Sequence, residues 1–454
     1  MIDMKQKTRF ICQNCGASFP KWAGKCENCS EWGTLVEQVD IPDSEAKSAI
    51  KKAQISGKKL DFTDISKIEP ADNKERLKTE FEDLNTVLGG GILMGSVNLL
   101  AGQPGIGKST ILMQICATVS KTKTVLYVSG EESAGQVKMR AMRLGAESDK
   151  LNFASSTSAN DIAKTIETGE FDLVIIDSIQ TLAMDEISSA PGTVSQVTNC
   201  GNLIIRAAKA TDTAVIIVGH VTKEGTLAGP KVLEHLVDVV INFEGDRYGG
   251  FKTIRAVKNR FGSTSEVAIF EMDEKGLKEV KNPSAALLAE RQNTDGSIIL
   301  ATLEGTRPIL VEIQALVTPS NFGYPKRTAS GFDLNRLQLL IAVIERRTKL
   351  KLDDKDIFIN VVGGMKLNDS AADLAVCMAI ASAAAGRKLS EDYVVFGEVG
   401  LGGEIRSAFR PDQRIAESKK LGFKHAIAPS TIKDKFVIPA KDLRETLIKY
   451  VNEK

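Results

Sequence analysis

The sequence predicts a multidomain chain: a small cysteine-rich ribbon, then an α/β domain on a parallel sheet, then an α+β domain. Three observations carry this expectation. Four of the seven cysteines fall between residues 12 and 29. From about residue 79 to 272, short apolar runs alternate with helical stretches, the pattern of βαβ units. Beyond Asn282-Pro283-Ser284, strand-like and helix-like segments follow without that regular alternation.

Bulk properties agree. At 454 residues the chain is too long for one compact core, and two or three domains are expected. Hydrophobic residues make up 43% and charged residues 26%, as in a globular protein, and 5% aromatics favour aliphatic cores. A net charge of +1 excludes a polycation, so any nucleic-acid contact must come from local basic patches. No apolar run reaches membrane-spanning length and no signal-peptide core is present at the N-terminus; a cytoplasmic location away from membranes is expected. Cys116, Cys200 and Cys377 fall in predicted helices and read as small buried hydrophobes.

The first element, residues 1–35, contains Cys12-x2-Cys15 and Cys26-x2-Cys29, ten residues apart. Paired CxxC knuckles suit a tetrahedral Zn²⁺ site. With few apolar residues, such a segment folds only around its metal. A redox CxxC would sit in a βαβ context, which is absent here. Arg9, Lys21, Trp22, Lys25 and Trp32 either meet DNA or a partner protein, or simply cover the ribbon. Residues 36–76 are rich in Lys, Asp, Glu and Ser and read as a charged linker.

The second domain, residues 77–281, has strand-like runs at 96–101, 124–129, 173–177, 214–219 and 239–243. The first leads into Gly102-Gln103-Pro104-Gly105-Ile106-Gly107-Lys108-Ser109 and, from Thr110, an apolar helix. This is a phosphate-binding loop: glycines let backbone N–H groups turn toward phosphates, and the helix dipole favours the anion. Residues 102–110 are therefore assigned to a nucleoside triphosphate, ATP with Mg²⁺. Lys108 serves the β- and γ-phosphates and Ser109 the magnesium ion. Asp177 ends a buried strand as a Walker B carboxylate does, and is assigned to Mg²⁺ with Ser109. After the strand at 124–129 come Glu131 and Glu132; a carboxylate there can act as general base, and Glu131 is favoured because it comes first.

Three features together resemble the RecA-type ATPases: the run Leu84-Asn85-Thr86-Val87-Leu88-Gly89-Gly90-Gly91-Ile92, the run Val174-Ile175-Ile176-Asp177-Ser178-Ile179, and a strand ending in Gly219-His220. The resemblance implies that Glu131 is the catalytic carboxylate. It also implies that His220 is a γ-phosphate sensor linked to a DNA-binding loop; the plainer reading is a structural histidine. Lys258-Asn259-Arg260-Phe261-Gly262, combined with the four-cysteine ribbon, extends the likeness. The whole chain is similar to the RadA/Sms family of bacterial DNA-repair proteins. That resemblance implies a hexameric ATP-driven ring acting on single-stranded and branched DNA in homologous recombination, with a recombinase or replicative helicase as partner. In ring ATPases a neighbour's cation offsets charge on the γ-phosphate, and Lys258 and Arg260 are assigned that role. Their alternative is a solvated basic pair. By similarity, loops at 183–196 and 221–231, the latter with Lys223 and Lys231, meet DNA and stay mobile until they do.

The remainder, residues 282–454, resembles the Lon protease domain. Aligned on Ala372-Asp373-Leu374-Ala375, the nucleophile position falls on Ala371. Ser370 is one residue off, about 100° around a helix, and reads as an N-terminal cap. Arg414 stands where the dyad lysine would be, and arginine cannot serve as a base. A domain without the catalytic dyad, and no peptidase activity, is expected. Lys326 and Arg327 beside Phe322 and Tyr324 suit DNA, as do Arg346, Arg347, Lys349 and Lys351, although charge runs are commonly solvated faces. The competing functions are a Lon-type ATP-dependent protease, disfavoured by the missing dyad, and a nucleotide-switched scaffold without turnover.

Overall fold

The structure is a computed structural model, which describes residues 8–12, 17–39, 62–67, 75–220, 231–245, 250–320 and 324–452 (excepting side chains at 8, 9, 11, 37–39, 231 and 452). Cys15, Lys223, the Lys231 side chain, Phe322 and most of the charged linker lie outside the described residues. The chain divides into two compact units, Met1–Glu69 and Pro70–Lys454.

In the first unit, Ser18–Phe19, Thr8–Cys12 and Leu35–Val39 form a three-stranded antiparallel sheet in that order. Among the described residues of this unit, Cys12, Cys26 and Leu35 form the buried apolar cluster. So small a cluster cannot offset the chain entropy of folding, which argues for a metal cross-link.

The second unit is built on two sheets. The larger has nine strands: β1 (Val97–Gly102), β2 (Val125–Ser129), β3 (Leu151–Ser155), β4 (Leu173–Asp177), β5 (Ala214–His220), β6 (Val239–Gly245), β7 (Lys252–Asn259), β8 (Val267–Asp273) and β9 (Gly276–Glu279). Their spatial order is β9-β8-β7-β6-β1-β5-β4-β2-β3. The first six in sequence run parallel, and β7, β8 and β9 add an antiparallel meander at one edge. β1, β2 and β4 are buried along their whole length and β5 up to His220, which is why they read as continuous aliphatic runs without alternation. Each fully buried Val, Ile or Leu contributes about 1.5–3 kcal/mol. Helices α1 (Glu82–Val87), α2 (Lys108–Val119), α3 (Ala134–Arg143), α4 (Ala159–Glu167), α5 (Val194–Thr211) and α6 (Lys231–Leu236) flank the sheet. The six-residue α1 is held by a remote cap: Glu279 accepts from the backbone N–H of Glu82, Asp83 and Leu84.

After α7 (Pro283–Leu288), the second sheet comprises β10 (Ser297–Glu304), β11 (Arg307–Pro319), β12 (Arg327–Ser330), β13 (Lys355–Val361), β14 (Tyr393–Val395), β15 (His425–Pro429) and β16 (Val437–Ala440), in the order β12-β13-β11-β10-β14-β15-β16. Helix α8 (Leu334–Thr348), the almost wholly buried α9 (Ala372–Ala385) and α10 (Pro411–Lys420) pack on it. The two sheets are joined firmly. Val267, Ile269 and Val280 lie in the hydrophobic core of the second sheet. Arg307 pairs with Asp83 and donates to Lys281 O at 2.7 Å, while Arg255 bridges to Glu304 at 3.3 Å. Between them lies a cleft of about 500 Å³, with Gly102 and Gln103 on one wall and Lys366 and Asn368 on the other.

Candidate active site

The parallel topology delivers the site. β1, β2, β4 and β5 end at the same edge of the sheet, so the residues that follow them converge although they are far apart in sequence. β1 turns through Gly105 and Gly107, both with positive φ, into α2, which starts at Lys108. Gly107 has φ 118°, a conformation that strains any residue with a Cβ, so glycine is the residue suited to the turn. Lys108 Nζ donates to Gly102 O at 2.8 Å and Gln103 O at 3.1 Å, folding back over the loop. Burial lowers its pKa to about 8, against the opposing pull of Asp177 and Glu131. A cation half-stripped of water and facing carboxylates is suited to receive polyphosphate.

Asp177 Oδ2 accepts from Ser109 Oγ at 2.9 Å and from the Tyr127 hydroxyl at 2.6 Å. Burial, then Asp177, raises the Tyr127 phenol well above its ordinary range, so it remains a donor. The carboxylate and the Ser109 hydroxyl thus stand together beside the phosphate loop, the oxygen donor set Mg²⁺ takes at nucleotide sites. The two glutamates are told apart by their partners. Glu132 is held in a bidentate pair by Arg140, both bonds 2.6 Å. Glu131 instead accepts from Ser178 Oγ at 2.7 Å and has His220 Nε2 at 3.6 Å. Ser129 Oγ accepts from the N–H of both glutamates and sets the turn. Among the described residues, His220 Nδ1 and both polar atoms of the Gln180 amide are buried without a hydrogen-bond partner.

Lys258 and Arg260 are engaged within their own chain. Lys258 Nζ donates to Glu234 O at 2.7 Å, His235 O at 3.1 Å and Val237 O at 2.7 Å, closing the C-terminal end of α6. Burial and then Arg260 lower the Lys258 pKa. Arg260 pairs with the buried Asp238 at 3.2 Å. The rest of the motif is packed on the Leu88-Gly89 turn: Asn259 Nδ2 donates to Val87 O, and a Cβ on Gly262 would lie 2.8 Å from the Gly89 Cα. The loop at 183–196 is also more built than a mobile segment would be. Gln196 is buried, accepts from Met184 N, and donates to the carbonyls of Met184, Ile187 and Ser189.

In the C-terminal part, Ala371 is fully buried and Ser370 exposed. Ser370 does not cap α9, which begins at Ala372; the Ala371 N–H is taken by Asp369 Oδ1 at 3.0 Å. Arg414 is 1% exposed and donates to Asp369 Oδ2 at 2.6 Å, Ala301 O at 2.7 Å and Phe409 O at 3.0 Å. Although burial pushes the Asp369 carboxyl up, Arg414 holds it below its ordinary value. The position aligned with a nucleophile is thus a buried alanine, and the one aligned with a base is an arginine held in an ion pair. Arg327 is likewise occupied, donating to Leu352 O at 2.8 Å and to Lys355 O, while Lys326 is exposed.

In the ribbon, Cys12, Cys26 and Cys29 bring their Sγ atoms within 4.8 Å of one another. Cys12 and Cys29 Sγ are 3.6 Å apart, close to the ~3.8 Å edge of a zinc–thiolate tetrahedron with bonds near 2.3 Å.

Sequence reading missed several supporting residues. The sequence does not single out Tyr127; the available signal is its polar tip in an otherwise aliphatic strand, two residues before Ser129. Ser178 was adjacent to the Walker B carboxylate. Nothing local identified Arg140 as the partner of Glu132.

A sheet of this order with a Gly-Lys-Ser loop, an apposed Asp177 and a poised Glu131 defines a P-loop ATPase of RecA-like architecture. Residues 64–226 match the model described as an AAA domain, residues 10–37 the rubredoxin metal-binding domain, and residues 335–432 the ChlI subunit of Mg-chelatase. Proteins named DNA repair protein RadA are similar throughout. That of Listeria monocytogenes is 45% identical over 455 residues, covering 100% of this chain and 98% of its own. That of Halalkalibacterium halodurans is 46% identical over 439 residues, 96% and 95% of the two chains, and that of Aquifex aeolicus 45% over 428 residues, 94% of each. The chain belongs to the RadA family of DNA repair proteins. A solved RadB recombinase aligns with 45% of this chain and 100% of its own, at 19% identity and a TM-score of 0.36.

Proposed function

We propose that this protein is a DNA-stimulated ATPase that drives migration of branched DNA intermediates in homologous recombination and repair. The observation that carries the reading is the convergence of Lys108, Ser109, Asp177 and Glu131 at one sheet edge, with Glu131 linked through His220 to the strand that enters residues 221–230. Lys108 and residues 102–110 hold ATP, and Ser109 with Asp177 holds Mg²⁺. Glu131 takes the proton of the attacking water, and His220 reports the γ-phosphate. Magnesium, when bound, screens the phosphate charge. The four-cysteine ribbon holds structural Zn²⁺. The organisation is residues 1–35, 36–76, 77–281 and 282–454, acting in the cytoplasm as a hexameric ring on single-stranded and branched DNA beside a recombinase or replicative helicase. No helix among the described residues is long and apolar enough to cross a membrane.

Lys258 and Arg260 serve the neighbouring site by leaving their own-chain partners on ring assembly. Lys223, Lys231, Lys326 and Arg327 meet DNA phosphates, Arg327 after giving up its carbonyl contacts. The Asp369–Arg414 pair supports the absence of peptidase chemistry. The test is ATP-driven migration of a synthetic three-strand junction. Wild type converts the junction and Lys108→Ala does not; conversion by both removes ATP from the mechanism, and conversion by neither removes the motor.

A further inference from the structure

We propose that Tyr127 is a positioning residue for the metal–nucleotide site, its hydroxyl fixing the orientation of Asp177. The inference rests on the reading of Lys108, Ser109 and Asp177 as the site of nucleotide and magnesium. Tyr127 lies in the middle of β2, 1% exposed and opposite Ile175 of β4. Its ring belongs to the apolar cluster that also contains Cys116, Val137 and Ala141. That packing explains the ring and not the oxygen. A buried hydroxyl costs stability unless it is paired, and this one is paired with Asp177 Oδ2 at 2.6 Å.

The geometry makes the contact more than a satisfied core group. Asp177 stands opposite Ser129, two residues along β2 from Tyr127, so both side chains lie on one face. Tyr127 and Ser109 donate to the same carboxylate oxygen, at 2.6 and 2.9 Å, and neither donates to Oδ1. Two donors on one oxygen define the torsion of the whole carboxylate. The Ser109 hydroxyl is itself assigned to the metal. Tyr127 is therefore the donor to Asp177 whose place is set by the sheet alone. Ser129, on the same face, accepts from the N–H of Glu131 and Glu132. One face of β2 thus organises the carboxylate for the metal and the turn that carries the base.

The test uses full-length Tyr127→Phe, which keeps the ring and removes only the oxygen. A fluorescent ATP analogue is bound in EDTA and then titrated with Mg²⁺, and melting is followed in parallel. The expected result is affinity in EDTA within about 2-fold of wild type, while the Mg²⁺ concentration at half-effect rises about 10- to 150-fold, as for loss of one charge-assisted hydrogen bond. In an Asp177→Asn background the same substitution adds no further shift. If Tyr127→Phe melts lower but its Mg²⁺ midpoint is unmoved, the hydroxyl is only a core group and the proposal is overturned. If wild-type binding ignores Mg²⁺ altogether, the site reading itself falls and takes the proposal with it.

Discussion

Replacing Glu131 with glutamine keeps the side chain's size and removes its charge and its capacity to take a proton. The structure makes the consequence specific. Glu131 is nearly half exposed (47%) and touches Ser178 at 2.7 Å and His220 at 3.6 Å, so no core contact is lost. Folding and nucleotide affinity are expected to stay close to wild type. The hydrolytic step loses its base, which is worth about 10²- to 10⁴-fold in rate, or about 3–5.5 kcal/mol of barrier. Glu132→Gln provides the contrast. It breaks a bidentate pair whose side chains are only 18% and 30% exposed, at a cost of about 1–3 kcal/mol in stability. That variant melts lower, by about 2–4 °C per kcal/mol, yet hydrolyses ATP within a few-fold of wild type at 25 °C. The assay is single-turnover phosphate release with enzyme in excess, alongside thermal melts of both variants. A Glu131→Gln rate above one-tenth of wild type, with Glu132→Gln reduced 100-fold, would refute the assignment.

Three further outcomes are expected. Burial sets the Lys108 pKa at about 8 in the free protein against 10.5 when unfolded. This lysine therefore costs the free protein stability below pH 8, and the cost is withdrawn as pH rises from about 8 toward 10.5. Nucleotide affinity runs the other way, falling up to ~10-fold per pH unit above 8 with proton uptake on binding, and titration calorimetry in two buffers that finds neither effect contradicts this. Metal analysis should find one Zn²⁺ per chain, and chelation or Cys26→Ala should unfold the ribbon while the larger unit keeps its melting transition. Arg414→Met, which strands Asp369 in the core, should cost about 3–5 kcal/mol, and Asp369→Asn with Arg414→Met together clearly less, with no casein cleavage in either variant.

Much of the α/β architecture was legible because β1, β2, β4 and β5 are buried on both faces and so appear as uninterrupted aliphatic runs. The phosphate loop was legible because its chemistry is local: the glycines, Lys108 and Ser109 are contiguous. Contacts between distant segments were not. Tyr127 meets Asp177 only because β2 and β4 are neighbours in the sheet, and chain order does not state that pairing. The Lys258-Asn259-Arg260-Phe261-Gly262 motif could be recognised, but not that Asn259 and Gly262 lock onto the Val87-Gly89 turn. Arg414 stood out as a residue unfit to be a base, while its partner Asp369, 45 residues away, was invisible. Ser370 failed as a cap for a local reason: Asp369, one position earlier, takes the Ala371 N–H.

The central claim is that Lys108, Asp177 and Glu131 form a hydrolytic site answerable to DNA. Steady-state phosphate release, measured at low salt with and without single-stranded DNA, tests it most directly in wild type and Lys108→Ala. The expected result is Mg²⁺-dependent turnover by wild type that rises several-fold with DNA, and none by Lys108→Ala with its melting transition intact. Turnover indifferent to DNA, or equal turnover by Lys108→Ala, would contradict the claim.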